Sequence, residues 1–150
     1  MVAHDHDGNP FVLLGKRRFY PFAGFWTVPG GELEEDRDKR VSHRLTQERT
    51  YRETSEAGAL REFSEEVKLW TGAPSLPLPA ALGEGFIFQT PVSAFTTFFL
   101  TVANPELKLP SVGRDVEFSK LKWFRIVGLP ILSHPGIHEA ISFWRKKTTG

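Results

Sequence analysis

Between Thr54 and Val67 the chain reads TSEAGALREFSEEV, and the helical period there restricts the fold more than any other feature. Leu60, Phe63 and Val67 recur at i, i+3 and i+7, a single apolar stripe that another layer has to cover. Thr54 or Ser55 can cap the start, and Gly72 can close the end in a left-handed conformation. Gly58 inside the helix costs about 1 kcal/mol relative to Ala, so a packing reason is expected there. Most other apolar runs are extended in character. MVAH and FVLLGKR flank a turn at Asp7-Gly8-Asn9-Pro10 and predict a hairpin. GFWTV, GFIFQT, AFTTFFLTVA and LKWFRI predict further strands, and TGAPSLPLPAALGEG is a Pro-rich connection. Ile137, Ala140, Ile141 and Trp144 fit a closing amphipathic helix. Strands with one central and one terminal helix predict the α/β class, a mixed sheet covered on its faces.

At 150 residues the chain suits one domain, 1–150, and its 13 Phe and 4 Trp suffice to fill one core. No apolar run approaches the length of a membrane span. The opening MVAHDHDGNP has neither a basic n-region nor an apolar h-region, so no signal peptide is expected. The absence of cysteine excludes a disulfide framework and thiolate chemistry, and is compatible with a cytoplasmic location. A net charge of +1 provides no basic field for nucleic acid, and no such partner is expected. The Gly8–Lys16 segment ends in Gly-Lys, but its glycines lie too far apart for a phosphate loop and no Ser or Thr follows.

On the central helix, at about 100° per residue, Glu62, Glu65 and Glu66 fall within one arc opposite Leu60, Phe63 and Val67. Carboxylates at i, i+3 and i+4 repel by a few tenths of a kcal/mol per pair. Two readings are open: a solvated acidic face, or a site where a divalent cation turns that repulsion into ligation. Hard ions such as Mg²⁺ prefer carboxylate oxygens, with phosphate completing the shell.

The stretch from Glu53 through Arg61-Glu62-Phe63-Ser64-Glu65-Glu66 resembles the core of the Nudix box. The upstream PGGELE resembles the glycine turn at which that box opens. FWTVPGG, LLGKRR and EFSKLKWF also look like their counterparts in the family, so the resemblance covers most of the chain. It implies an α/β/α sandwich and Mg²⁺- or Mn²⁺-dependent hydrolysis of a phosphoanhydride bond in a nucleoside diphosphate-linked substrate. Glu62, Glu65 and Glu66 match the metal-binding positions, Arg61 and Glu53 match an orienting pair, and Gly30 and Gly31 match the turn that approaches metal and phosphates. Homodimers are frequent in the family. The alternative is a Nudix-like domain that binds a nucleotide or a partner without hydrolysing it.

Two departures from the family pattern stand out. Between Gly31 and Glu53 lie 21 residues where the pattern has five, an insertion of 16, approximately 36–51. It either loops out at small entropic cost or moves Gly31 away from the metal. From Asp36 to Arg52 its charge is net +3, with a solvated segment favoured over a phosphate-binding one. Lys68 stands where the family usually has Gly, which predicts a further helical turn toward Gly72. A late acidic residue is a candidate base or extra ligand, with Glu117 placed ahead of Glu84 and Asp115. His4 and His6 read as polar turn residues, and His134 and His138 as surface residues flanking a Pro-Gly turn, with a place for one of them in the pocket lining as the other reading. The aromatic runs FYPFAGFW and AFTTFFL read as core, with base stacking as the other use for such rings.

Overall fold

The computed structural model describes residues 1–20, 22–30, 54–68, 82, 84–91, 94–113 and 117–150. Gly31, Glu53, Gly72, Asp115 and the insertion at 36–51 lie outside them, as does most of the Pro-rich connection.

The opening hairpin forms as the turn residues predict. Strand β1 (Val2–His4) pairs antiparallel with β2 (Pro10–Arg17), with Val2 opposite Val12. Asp5 builds the turn, its Oδ1 accepting the backbone N–H of Asp7 at 3.0 Å and of Asn9 at 2.8 Å. Strand β2 also pairs antiparallel with β3 (Trp26–Thr27), and along nearly its whole length with β9 (Phe118–Arg125). Strand β7 (Thr101–Val102) joins β1 in parallel, so the sheet is mixed.

Period-two alternation sends successive β1 and β2 side chains to opposite faces. Ala3 and Leu13 join one core with Val67, Val102, Phe118 and Leu121, and Phe63 packs against it from helix α1 (Ser55–Glu66). Val2, Val12 and Leu14 join the other core with Ile137, Ile141 and Trp144 of helix α2 (Ile137–Thr149). Both faces of the sheet are therefore covered, which explains the unbroken apolar run Val12-Leu13-Leu14. The arrangement is the expected α/β/α sandwich. Among the described residues no helix is long and apolar enough to cross a membrane.

Three sequence expectations need correction. AFTTFFLTVA does not form one strand: β6 (Ala94–Thr97) pairs with β5 (Phe86–Gln89) in a separate hairpin, while β7 belongs to the main sheet. The apolar run Phe98-Phe99-Leu100 joins them without a break in the sequence, but the two ends find different partners. Helix α1 stops at Glu66 instead of running on toward Gly72. Val67 is extended (φ −126°, ψ 120°) and forms β4 (Val67–Lys68), which pairs with β8 (Ser111–Val112). Burial of the β-branched Val67 beside Val112 outweighs another helical turn. The third correction is that the three glutamates do not share one solvated arc: Glu66 is wholly buried.

Candidate active site

Helix α1 is fixed at both ends, and that places its carboxylates. At the start Thr54 is the cap, its Oγ accepting the Ala57 N–H at 3.2 Å. At the end the Glu66 carbonyl accepts the N–H of Gly113 at 2.7 Å. A Cβ on Gly113 would lie 2.2 Å from the Glu65 carbonyl oxygen, so only glycine permits this approach. The segment after β8 thus clamps the last helical turn and turns Glu66 inward.

The Glu66 carboxylate lies beneath the Gly30 turn, its Oε2 accepting the Gly30 N–H at 2.9 Å. Its Oε1 is buried and meets no hydrogen-bond donor among the described residues. Glu117 faces it. The Glu117 carbonyl accepts the Arg18 N–H at 2.8 Å, and the next residue, Phe118, is buried against Gly15, where a Cβ would lie 2.6 Å from the ring. The β-bulge at Lys16/Arg17 shifts the register at this point, and so sets where β9 delivers Glu117.

Burial and the facing Glu117 push the Glu66 carboxyl up to about 9, with the Glu62 charge adding and the Gly30 N–H opposing. Glu62 is also raised, by burial first, with Glu65 and Glu117 contributing and Arg61 offsetting. Arg61 Nη1 reaches Glu62 Oε1 at 2.9 Å and Glu65 Oε2 at 3.5 Å. Four carboxylates and one guanidinium thus converge where helix α1 meets the Gly30 turn and the start of β9.

Such a set disfavours its own ionisation and favours a cation. The buried, undonated Oε1 of Glu66 suits a positive ion or a proton and nothing else. As arranged, with Glu62 and Glu65 drawn to Arg61, no three Asp, Glu, His or Cys groups among the described residues stand ready to hold a metal ion. A cation here would compete with Arg61 for Glu62 and Glu65.

Of the residues singled out in the sequence, Arg61, Glu62, Glu65, Glu66, Glu117 and Gly30 come together. Glu53, Gly31 and Asp115 are outside the described residues. Glu84 is elsewhere, ion-paired with Lys147 on the surface. His6 and His138 are exposed, and His4 stands near the Trp144 ring at 6.2 Å. His134 is half-buried between aromatic rings, which its place beside a Pro-Gly turn did not signal. Gly113 went unrecognised too, because its role depends on a helix end far away in sequence.

The family model of the NUDIX domain matches residues 1–144. Among solved structures, the chain is similar to a Nudix hydrolase from M. smegmatis, RenU, with 18% identity and a TM-score of 0.58 over 99% of this chain and 81% of that one. It is similar to the NUDIX domain of Shewanella oneidensis NrtR complexed with ADP ribose (19%, TM-score 0.54, 98% and 84%). A MutT NUDIX hydrolase from Burkholderia pseudomallei is a further likeness (20%, TM-score 0.50, 94% and 92%). No curated protein matches the sequence. At such identities the structural likenesses speak for the fold, and the domain match speaks for the family. This chain belongs to the Nudix family, hydrolases acting on pyrophosphate bonds.

Proposed function

We propose that the chain is a Mg²⁺-dependent pyrophosphohydrolase that splits the phosphoanhydride bond of a nucleoside diphosphate-linked substrate. The observation carrying this reading is the buried Glu66 carboxylate, facing Glu117 with one oxygen undonated. Glu62, Glu65 and Glu66 would hold the divalent ion, Mn²⁺ serving in place of Mg²⁺. When bound, the cation neutralises diphosphate charge and stabilises the charge that develops at phosphorus. Arg61 keeps Glu62 and Glu65 on one side of the helix. The Gly30 N–H fixes one Glu66 oxygen and leaves the other toward the cluster. Glu117, held by its backbone bond to Arg18, takes the proton of the attacking water.

A hydrolysis panel tests the reading: ADP-ribose, nucleotide sugars, nucleoside triphosphates and dinucleoside polyphosphates, each with Mg²⁺ and with EDTA. ADP-ribose comes first because the similar NrtR domain is complexed with it. Product is expected only with metal, and Glu66→Gln is expected to abolish it. Tight metal-dependent binding with no turnover on any substrate would replace this reading with that of a nucleotide-binding domain.

A further inference from the structure

Arg17 N–H donates to the Phe25 carbonyl and Gly24 N–H to the Arg17 carbonyl, both at 2.8 Å. Close before that closure Phe22 stands at φ 65°, a left-handed conformation that a bulky aromatic rarely adopts. A loop needed only to turn would place Gly or Asn there, as Gly24 (φ 84°) does nearby. Strain of this kind persists where the surroundings hold a side chain up for use. The Phe22 ring stacks on Phe25 at 5.5 Å and meets His134 edge-on at 5.1 Å. From the separate β5–β6 hairpin Phe95 meets the same imidazole edge-on at 4.8 Å. Three distant segments therefore converge on one aromatic cluster, yet Phe22 and Phe95 remain 40% and 38% exposed.

We infer that Phe22 and Phe95 form the stacking surface for the substrate's nucleobase, with His134 standing edge-on between them, a step that rests on the hydrolase reading for its occupant. The cluster is tied to the carboxylates from both ends of one run of chain. Arg18, at the loop's start, is bonded to Glu117; the His134 N–H donates to the Trp26 carbonyl at 2.8 Å, and four residues beyond Trp26 the Gly30 N–H is bonded to Glu66. Four residues span at most about 14 Å, within the reach of a nucleoside diphosphate. Arg17 and Arg18 leave the same strand end, where phosphates joining the two sites would run.

His134 adds a preference. Its Nδ1 lies 3.0 Å from the Pro135 carbonyl, which can only accept, so Nδ1 carries a proton. Burial, with the Arg17 charge adding, lowers its pKa, so the ring is neutral at pH 7 and Nε2 is an acceptor. With its ring between Phe22 and Phe95, it would serve a bound base as a partner for an exocyclic amino group, adenine's in preference to hypoxanthine's carbonyl.

Calorimetric titration of the full chain with AMP, IMP and ribose 5-phosphate tests the assignment. The expected order is AMP tightest, IMP weaker and ribose 5-phosphate weakest. Phe22→Gly relieves the positive φ and so keeps the fold, with a melting temperature no lower than wild type. It is expected to weaken AMP about tenfold while leaving ribose 5-phosphate unchanged. Phe95→Leu, which keeps bulk and loses the ring, is expected to do the same, and His134→Phe to erase the AMP-over-IMP preference. Equal binding of AMP and ribose 5-phosphate by wild type, or AMP affinity unaltered in both Phe variants, overturns the inference. The hydrolase reading fails separately, on absence of turnover in an otherwise base-selective protein.

Discussion

Glu66→Gln is expected to stabilise the metal-free protein while abolishing hydrolysis, and the size of the gain follows from the site. In the folded chain the Glu66 carboxyl is pushed up to about 9 from its ordinary 4.5. Between those values the folded state holds a proton that the unfolded state has released, so stability falls as pH rises from 4.5 toward 9. Each pH unit costs about 1.4 kcal/mol, a ceiling of about 5 kcal/mol at pH 8. The buried site relaxes when Glu66 ionises, so about 2–3 kcal/mol is the working expectation. Glutamine carries no such pH dependence. Its carbonyl can accept the Gly30 N–H, and its amide can donate to Glu117. For 150 residues, that gain corresponds to roughly 5–10 °C in melting temperature. Calorimetry in EDTA at pH 5 and pH 8 reads it directly. The Gln variant should melt close to wild type at pH 5 and well above it at pH 8. If the difference does not grow with pH, or if the variant melts lower at pH 8, Glu66 is not a carboxyl held against its ionisation and the reasoning fails.

Other tests follow from the same geometry. Mg²⁺ added to wild type at pH 8 should raise the melting temperature and release protons, seen as buffer-dependent heats in calorimetry. Glu66→Gln should lose both effects. Thr54→Ala should cost about 1 kcal/mol of stability by removing the cap on Ala57, while Thr54→Ser should not. Gly113→Ala forces a methyl into the Glu65 carbonyl, so a loss of about 3 kcal/mol is expected by chemical denaturation. Its residual activity should fall further than its stability, because the clash moves the helix end that carries Glu66.

How far the sequence foretold this arrangement depends on the range of the interactions. Thr54 is the cap, and Ile137, Ala140, Ile141 and Trp144 are the buried face of α2, because capping and helical period act within a few residues. The convergence of Arg61, Glu62 and Glu65 likewise follows from spacing on one helix. What went unread lies between distant segments. The end of α1 is decided by Val67 pairing with Val112 and by Gly113, about 45 residues on, capturing the Glu66 carbonyl. The division of AFTTFFLTVA is decided by partners on both sides. His134 looks like a surface residue until Phe22 and Phe95 are brought against it.

The same contrast explains why one of three similar glutamates becomes the distinctive one. On an isolated helix Glu62, Glu65 and Glu66 differ only by their angle around the axis, and all three repel alike. The Gly113 clamp ends the helix just after Glu66, so that residue leaves the solvated face and enters the layer between α1 and the sheet. Once there it is cut off from water, and among the described residues the Gly30 N–H is the donor it meets while Glu117 opposes its charge. Glu62 and Glu65 keep an arginine and partial exposure. A buried carboxylate opposed by another is costly in a chain that does nothing with it, since glutamine would fit and fold more stably. Under the proposed function a cation would replace that proton, with stability given up for function.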